Sequence, residues 1–480
     1  MKKSPVLLLI FLAFSIEASA TELTLDDCVT MAKERNGRLK AAAMDTAVTG
    51  HEEEIAFTRR LPSIKVDGQY TAIDREYTFA IKRNAFGPGV PATEVDISAG
   101  DRDFYSLGVH VDHPLYTGGN LTHAWEKAKI RREGSFYAEA RQERLLVFEV
   151  KRAFFEALRD ELTVDTIEKV VAARSERLRA AKEKLKEGFA KIEDILRLET
   201  DLSAVELDLF RARQRSELAM RRVKRLIYYE DPSELVLKGA PTNLLLSSPL
   251  QDLTTSALNN REDLKESQAR VKAAGEDIEI AKSDYYPEIS LRGSYFRQEE
   301  TELAKPELWM FGARLDWTIF DWNRTRSEVN KAKAARDRLR YAHEELQKEV
   351  ILEVEEAWTS IMELERVVAF REELCRSSEY YVAQTMNKYA EGTVLLADLL
   401  EQEAQLVKAY KDYLAAINDL DIAHAYLEAT TSIVSPDWIT PKELYRLDLK
   451  DISDKVAEAR TARKPESFPS APKSRAKGKP

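Results

Sequence analysis

Residues 114–120 read "PLYTGGN" and residues 318–324 read "TIFDWNR". Each follows a run of alternating apolar residues and precedes a long charged stretch, 204 positions apart. A change from period two to helical composition marks a strand that runs on into a helix. The chain makes that transition twice.

The doubling extends outward from these phrases. At an offset of 225, Ala32, Leu39-Lys40 and Ile55-Ala56 fall on Ala257, Leu264-Lys265 and Ile280-Ala281. Pro62, Ile64, Gly68 and Tyr70 fall on Pro287, Ile289, Gly293 and Tyr295. Beyond about residue 104 the offset is 204, and Gly108, Asp112, Glu187-Gly188, Asp194 and Glu199 meet Gly312, Asp316, Glu391-Gly392, Asp398 and Glu403. So many matches at two constant offsets define an internal repeat. The first copy carries 21 extra residues in a loop over 77–103. The expected organisation is a leader over 1–20, a first repeat over 21–235, a linker over 236–250, a second repeat over 251–432 and a tail over 433–480.

Each copy has the same internal order. A helical stretch over 25–60 ends at Pro62, which stops a helix. In "SIKVDGQYTA", Ile64, Val66 and Tyr70 oppose Lys65, Asp67, Gln69 and Thr71. Leu107, Val109 and Val111 likewise oppose Ser106, His110 and Asp112, and the second copy repeats both patterns. No proline interrupts 118–186, and its Glu, Lys, Arg, Ala and Leu lose little freedom in a helix. About 65–70 such residues make a helix of about 100 Å. A second long helix is expected over 322–390. Glu187-Gly188 and Glu391-Gly392 end the long helices, glycine suiting a left-handed cap, and return helices follow over 192–228 and 393–430.

The ends and the composition narrow the setting. "MKKSPVLLLIFLAFSIEASA" has a basic start, a short apolar run and an A-x-A site, the pattern of a secretory leader cut after Ala20. Only two cysteines, Cys28 and Cys375, leave room for at most one bridge. The formal net charge of −10 argues against nucleic acid as a partner. The tail is basic, proline-rich and without apolar periodicity, a disorder-prone composition. No nucleotide-binding loop or metalloprotease motif is present, and His110 and His113, three apart on a strand, face opposite ways and make poor joint metal ligands. No cofactor, metal or catalytic site is expected.

Charged long helices alone would read as a periplasmic coiled-coil scaffold, which stays as the alternative. The strands argue against it. Four amphipathic strands lack a second sheet to cover their apolar faces, whereas lipid covers them only if they close into a barrel. Single-chain barrels begin at about eight strands, so several chains would share one.

The repeat, "TLDDCVTMA" at 24–32, "PLYTGG" at the junction and "EGT…AD" at the second turn resemble the TolC-like outer-membrane factor family over about residues 22–430. The resemblance implies a mostly α protein with a β-barrel part. Each protomer of a homotrimer would give four strands to a 12-stranded transmembrane β-barrel, and long helices to a periplasmic α-helical tunnel. The function implied is an outer-membrane exit duct of a tripartite efflux pump or type I secretion system, opened by a periplasmic adaptor and an inner-membrane transporter. Drugs, metal ions and secreted proteins are all admitted as cargo. Asp398 and Glu401, with Asp194, Glu193 and Tyr389, match the periplasmic aperture. The turns at Gly188, Gly392 and Thr393 match adaptor contacts. Pro114, Tyr116, Gly118, Gly119, Phe320 and Asp321 match the junction where barrel becomes tunnel. The latch arginine of some drug-efflux members is Val394 here, so the resemblance does not say how the aperture is held closed.

Overall fold

The structure, a computed structural model, describes residues 21–74, 78–81, 95–98, 103–189, 191–230, 235–239, 249–299 and 307–432. The expected leader and tail lie outside the described residues. In chain order the elements are β1 (Thr21–Leu23), α1 (Leu25–Arg35), α2 (Gly37–Thr58), β2 (Ser63–Ala72), β3 (Thr78–Ile81), β4 (Val95–Ser98), β5 (Asp103–Thr117), α3 (Asn120–Lys186) and α4 (Ile192–Leu226). There follow β6 (Leu235–Leu237), α5 (Leu250–Asn260), α6 (Glu262–Ser283), β7 (Glu288–Glu299), β8 (Glu307–Asp316), α7 (Arg324–Ala390) and α8 (Leu396–Thr431). The two long helices are 67 residues each, as their composition predicts.

Three features depart from the sequence reading. The single helix expected over 25–60 is broken at Asn36, whose backbone is extended at φ −64° and ψ 123°. Its repeat mate Arg261 breaks the second copy at φ −59° and ψ 129°. At the first break the Asn36 side chain accepts from the Arg38 amide (2.9 Å) and donates to the Leu226 carbonyl (3.2 Å), satisfying groups that a helix would have used. At the second, buried Arg261 forks onto Asp263 at 3.1 and 2.6 Å. In the loop over 77–103, β3 and β4 form an antiparallel hairpin. At the edge of the expected linker, β6 pairs in parallel with β1, Thr21 opposite Leu235.

Among the described residues the chain divides into two compact units that each draw on both repeats: 21–39, 143–260 and 350–432 in one, 40–142 and 261–349 in the other. The first is helical around an apolar core of Leu23, Cys28, Val150, Phe154, Val223 and Leu237 with their neighbours. Thr24 starts α1 with a capping box, its amide bonded to Asp27 at 3.0 Å and its hydroxyl accepting from the Asp27 amide at 3.3 Å. Full burial of each large apolar side chain here contributes about 1.5–3 kcal/mol. Both cysteines are buried and free.

The second unit holds a four-stranded antiparallel sheet in the order β2-β5-β7-β8. In register, Val66 faces Val109, Val109 faces Tyr295 and Tyr295 faces Trp309. Directly opposed residues share a face, so the alternation read from each strand adds up to one apolar and one polar face. The apolar face is open, with Phe311 81% exposed. A bulge between Pro114 and Tyr116 bends β5 at its end; proline has no amide to give the ladder. Among the described residues, no helix is long and apolar enough to cross a membrane.

Candidate functional site

Two places carry the residues singled out by sequence. The first is the pair of helical turns. Gly188 (φ 82°) and Gly392 (φ 74°) take the left-handed conformation that glycine adopts without penalty. Each turn closes by the same two bonds. The Gly188 amide donates to Leu185 (3.0 Å) and Phe189 to Lys184 (2.8 Å), while Gly392 donates to Tyr389 (2.9 Å) and Thr393 to Lys388 (3.0 Å). That is the Schellman pattern, which satisfies carbonyls orphaned at a helix end. The Thr393 hydroxyl adds a bond to the Lys388 carbonyl at 2.9 Å.

The residues that the resemblance assigns to an aperture sit just beyond. Asp398 caps its own helix, accepting from the Leu395 amide at 3.0 Å, and its carboxylate is exposed. Glu401 is exposed on the same helical face three residues on, and Glu193 is exposed beside half-buried Asp194. Leu178, Ile195, Leu198, Leu396 and Leu400 form one apolar cluster, which joins the starts of α4 and α8. Among the described residues no hydrogen bond links Tyr389 to Asp194; Tyr389 is half-exposed.

The polar link in this region lies deeper and was not read from sequence. Glu403 of α8 receives a fork from Arg177 of α3 (2.7 and 2.6 Å) and lies 3.2 Å from Arg174, which also meets Asp201 of α4 at 2.6 Å. The Arg174 and Glu403 side chains are 5% and 10% exposed. Burial, opposed by Arg174, raises the Asp201 carboxyl above its ordinary value. The repeat offers the signal that could have found it. Glu403 and Glu199 are repeat mates, yet Glu199 makes an exposed pair with Lys182 (2.7 Å), and the positions matching Arg174 and Arg177 are Ser378 and Tyr381. Among the described residues the network therefore has no counterpart around Glu199.

The second place is where strands meet long helices. Gly118 (φ 61°) and Gly119 (φ 93°) both need positive φ. A β-carbon on Gly118 would stand 2.5 Å from the Ser283 carbonyl oxygen at the end of α6, so only glycine fits. In the second copy Asp321 does the starting work for α7: its carboxylate accepts from the Thr325 amide (2.7 Å) and hydroxyl (2.5 Å). Phe320 and Trp322 pack edge to face at 4.9 Å, both exposed. Pro114 and Tyr116 flank the bulge. On the polar face of the sheet, His110 lies 2.7 Å from Asp67 and 3.1 Å from Ser294, a grouping invisible in the linear sequence. Ser294 is buried, at 6% exposed. Among the described residues no cluster of His, Cys, Asp and Glu could hold a metal ion.

With this geometry in hand, comparison with known proteins is informative. The pattern of the outer membrane efflux protein family matches residues 28–227 and 253–431. Nodulation protein T of Rhizobium leguminosarum bv. viciae is 26% identical over 192 residues, 39% of this chain and 40% of that protein. Outer membrane efflux protein BepC of Brucella suis biovar 1 is 26% identical over 206 residues, 42% of this chain and 44% of that protein. The chain thus spans about two fifths of the length of these curated relatives. Among solved structures, the CmeC outer membrane channel of Campylobacter jejuni matches with a TM-score of 0.70 at 16% identity, over 85% of each chain. The open-state MtrE outer membrane channel of Neisseria gonorrhoeae matches at 0.69 and 18%, over 85% of this chain and 88% of that one. These channels share the fold of long helices and a strand-forming part. By its sequence pattern over both repeats, the chain belongs to the outer membrane efflux protein family.

Proposed function

We propose that the chain is a passive exit duct. Three copies close one twelve-stranded barrel in the outer membrane, and their long helices continue as a tunnel in the periplasm. The observation that carries this reading is the four-stranded sheet, apolar on one face, polar on the other, with β2 and β8 each paired on one side only. Lipid tolerates no open sheet edge, and four strands are too few to close alone.

At the far end of the tunnel, threefold symmetry turns Asp398 and Glu401 into rings of carboxylates, flanked by Glu193, Asp194 and Tyr389. Rings of one sign select ions of the other. The turns at Gly188, Gly392 and Thr393 receive an adaptor protein. An inner-membrane transporter supplies the work, as part of a tripartite efflux pump or a type I secretion system. Pro114, Tyr116, Gly118, Gly119, Phe320 and Asp321 mark the border between lipid and periplasm. The chain itself performs no catalysis and uses no cofactor.

The test is the mass and location of the detergent-extracted protein. Three times the mature chain, in separated outer membranes, is the expected result. A soluble periplasmic monomer or dimer would sink the duct and leave the helical scaffold.

A further inference from the structure

We infer that Arg59 and Arg60, held against Phe57 and Trp125, bind the phosphate of an anionic phospholipid where the barrel leaves the membrane; this rests on the duct reading, with the apolar face of the sheet against lipid. The two arginines close the end of α2. Arg59 donates its amide to Ile55 (3.2 Å), Arg60 to Phe57 (3.0 Å) and Leu61 to Thr58 (2.9 Å), before Pro62 turns the chain into β2. Ser63 then stands opposite Asp112, near the end of β5, where Gly118 and Gly119 lead into α3. Leu61, Ile64 and Val66, next along the chain, are exposed, so apolar surface for acyl chains begins one residue from the cations.

Aromatic rings fix one of the two cations. The Arg60 guanidinium lies over the Trp125 ring, 5.1 Å from its centre, and 5.8 Å from the centre of the Phe57 ring. The two rings meet at 5.7 Å, and the Lys129 ammonium lies 5.8 Å from the Trp125 ring. A cation at a helix C-terminus answers the helix dipole without any ring. The rings add a fixed place for the guanidinium and leave N–H donors on its rim. Tryptophan and arginine both suit the depth of lipid headgroups, each with an apolar body and a polar end.

Both charges stand unpaired: among the described residues no carboxylate meets either guanidinium. In the last turns of α2, Glu53 is taken by Arg132 at 3.0 Å and Glu54 by His51 at 3.1 Å, and Glu126 of α3 lies 3.8 Å from Lys129. A phosphate diester, with one charge shared by two free oxygens, fits two adjacent guanidinium forks. The second repeat shows that the fold does not demand this cluster. Lys282, Asp284 and Tyr285 stand at the places of Phe57, Arg59 and Arg60, and Val329 at that of Trp125. There the Tyr285 carbonyl accepts from the Trp317 indole at 3.2 Å. The passage from helix to strand therefore forms without the arginines.

The test is native mass spectrometry of the full chain, extracted in detergent from outer membranes and titrated with phosphatidylglycerol or phosphatidylethanolamine. The wild type should hold phosphatidylglycerol more tightly than phosphatidylethanolamine by about fivefold or more. Arg59→Gln with Arg60→Gln should weaken phosphatidylglycerol about tenfold or more and erase the preference. Trp125→Leu, which keeps both charges, should weaken it about threefold. Arg211→Gln with Arg221→Gln, an equal loss of charge on α4, should change nothing. The site is overturned, with a trimeric mass leaving the duct standing, by any of three results: no preference in the wild type, equal affinities in the two arginine pairs, or displacement of the lipid by an equal concentration of inorganic phosphate. A soluble monomer overturns both.

Discussion

Single residues carry two kinds of duty here, and Asp398 carries both. Its carboxylate caps α8 through the Leu395 amide, yet it stays exposed with Glu401 on the face proposed to line the aperture. Asp398→Asn combined with Glu401→Gln should reduce cation selectivity and block by polyvalent cations in planar bilayers; unchanged selectivity and block would remove the acidic-ring role. Asparagine still accepts the capping bond, so the helix start is spared. The cysteines show the opposite case, residues with packing duty only. Burial pushes both thiols up to about 12. A thiol raised above its unfolded value of about 9 adds stability below that pH and loses it as pH climbs through the folded value. At pH 8 both stay protonated and enclosed, so a maleimide should label neither until the chain is unfolded. Labelling of the native protein would show that these cores open.

At the scale of elements, the repeat makes two similar hairpins and the side chains make them different. Glu199 and Glu403 occupy matching places, one in an exposed pair with Lys182, the other beneath two arginines. Removing one partner of a buried pair costs about 3–5 kcal/mol, whereas an exposed pair is worth about 1 kcal/mol or less. Glu403→Gln should therefore lower the melting temperature of the helical signal by several degrees and Glu199→Gln hardly at all. Equal shifts would mean that the buried network does not hold the second hairpin. Burial here follows from which helices meet, and neither glutamate announces its fate in the sequence around it.

At the scale of the whole molecule, the decisive feature is a sheet whose faces differ and whose edges stay open. Phe311 and Met310 are neighbours in β8 on opposite faces. On a lipid face an arginine near mid-membrane costs about 2–4 kcal/mol, and a lumen position tolerates it. Phe311→Arg should cut the amount of assembled protein in the outer membrane, while Met310→Arg should assemble normally and shift ion selectivity. The reverse order would place the polar face against lipid.

Much of this protein is legible from residue order alone. Period two over 63–72 and 288–299, long runs free of proline, and glycine after glutamate at both turns are local signals, and the elements form where they point. The duplication follows from matching offsets, and the positive φ of Gly188 and Gly392 from the turn chemistry of their neighbours. What tertiary structure decided is every pairing between segments far apart in the chain. It broke the first helix of each copy at Asn36 and Arg261, paired β1 with β6, and buried Glu403 under Arg174 and Arg177. It also brought Asp67, His110 and Ser294 onto three neighbouring strands. Periodicity specifies which face of an element is apolar; register and packing specify which polar groups meet, because those contacts depend on partners that the local sequence does not contain.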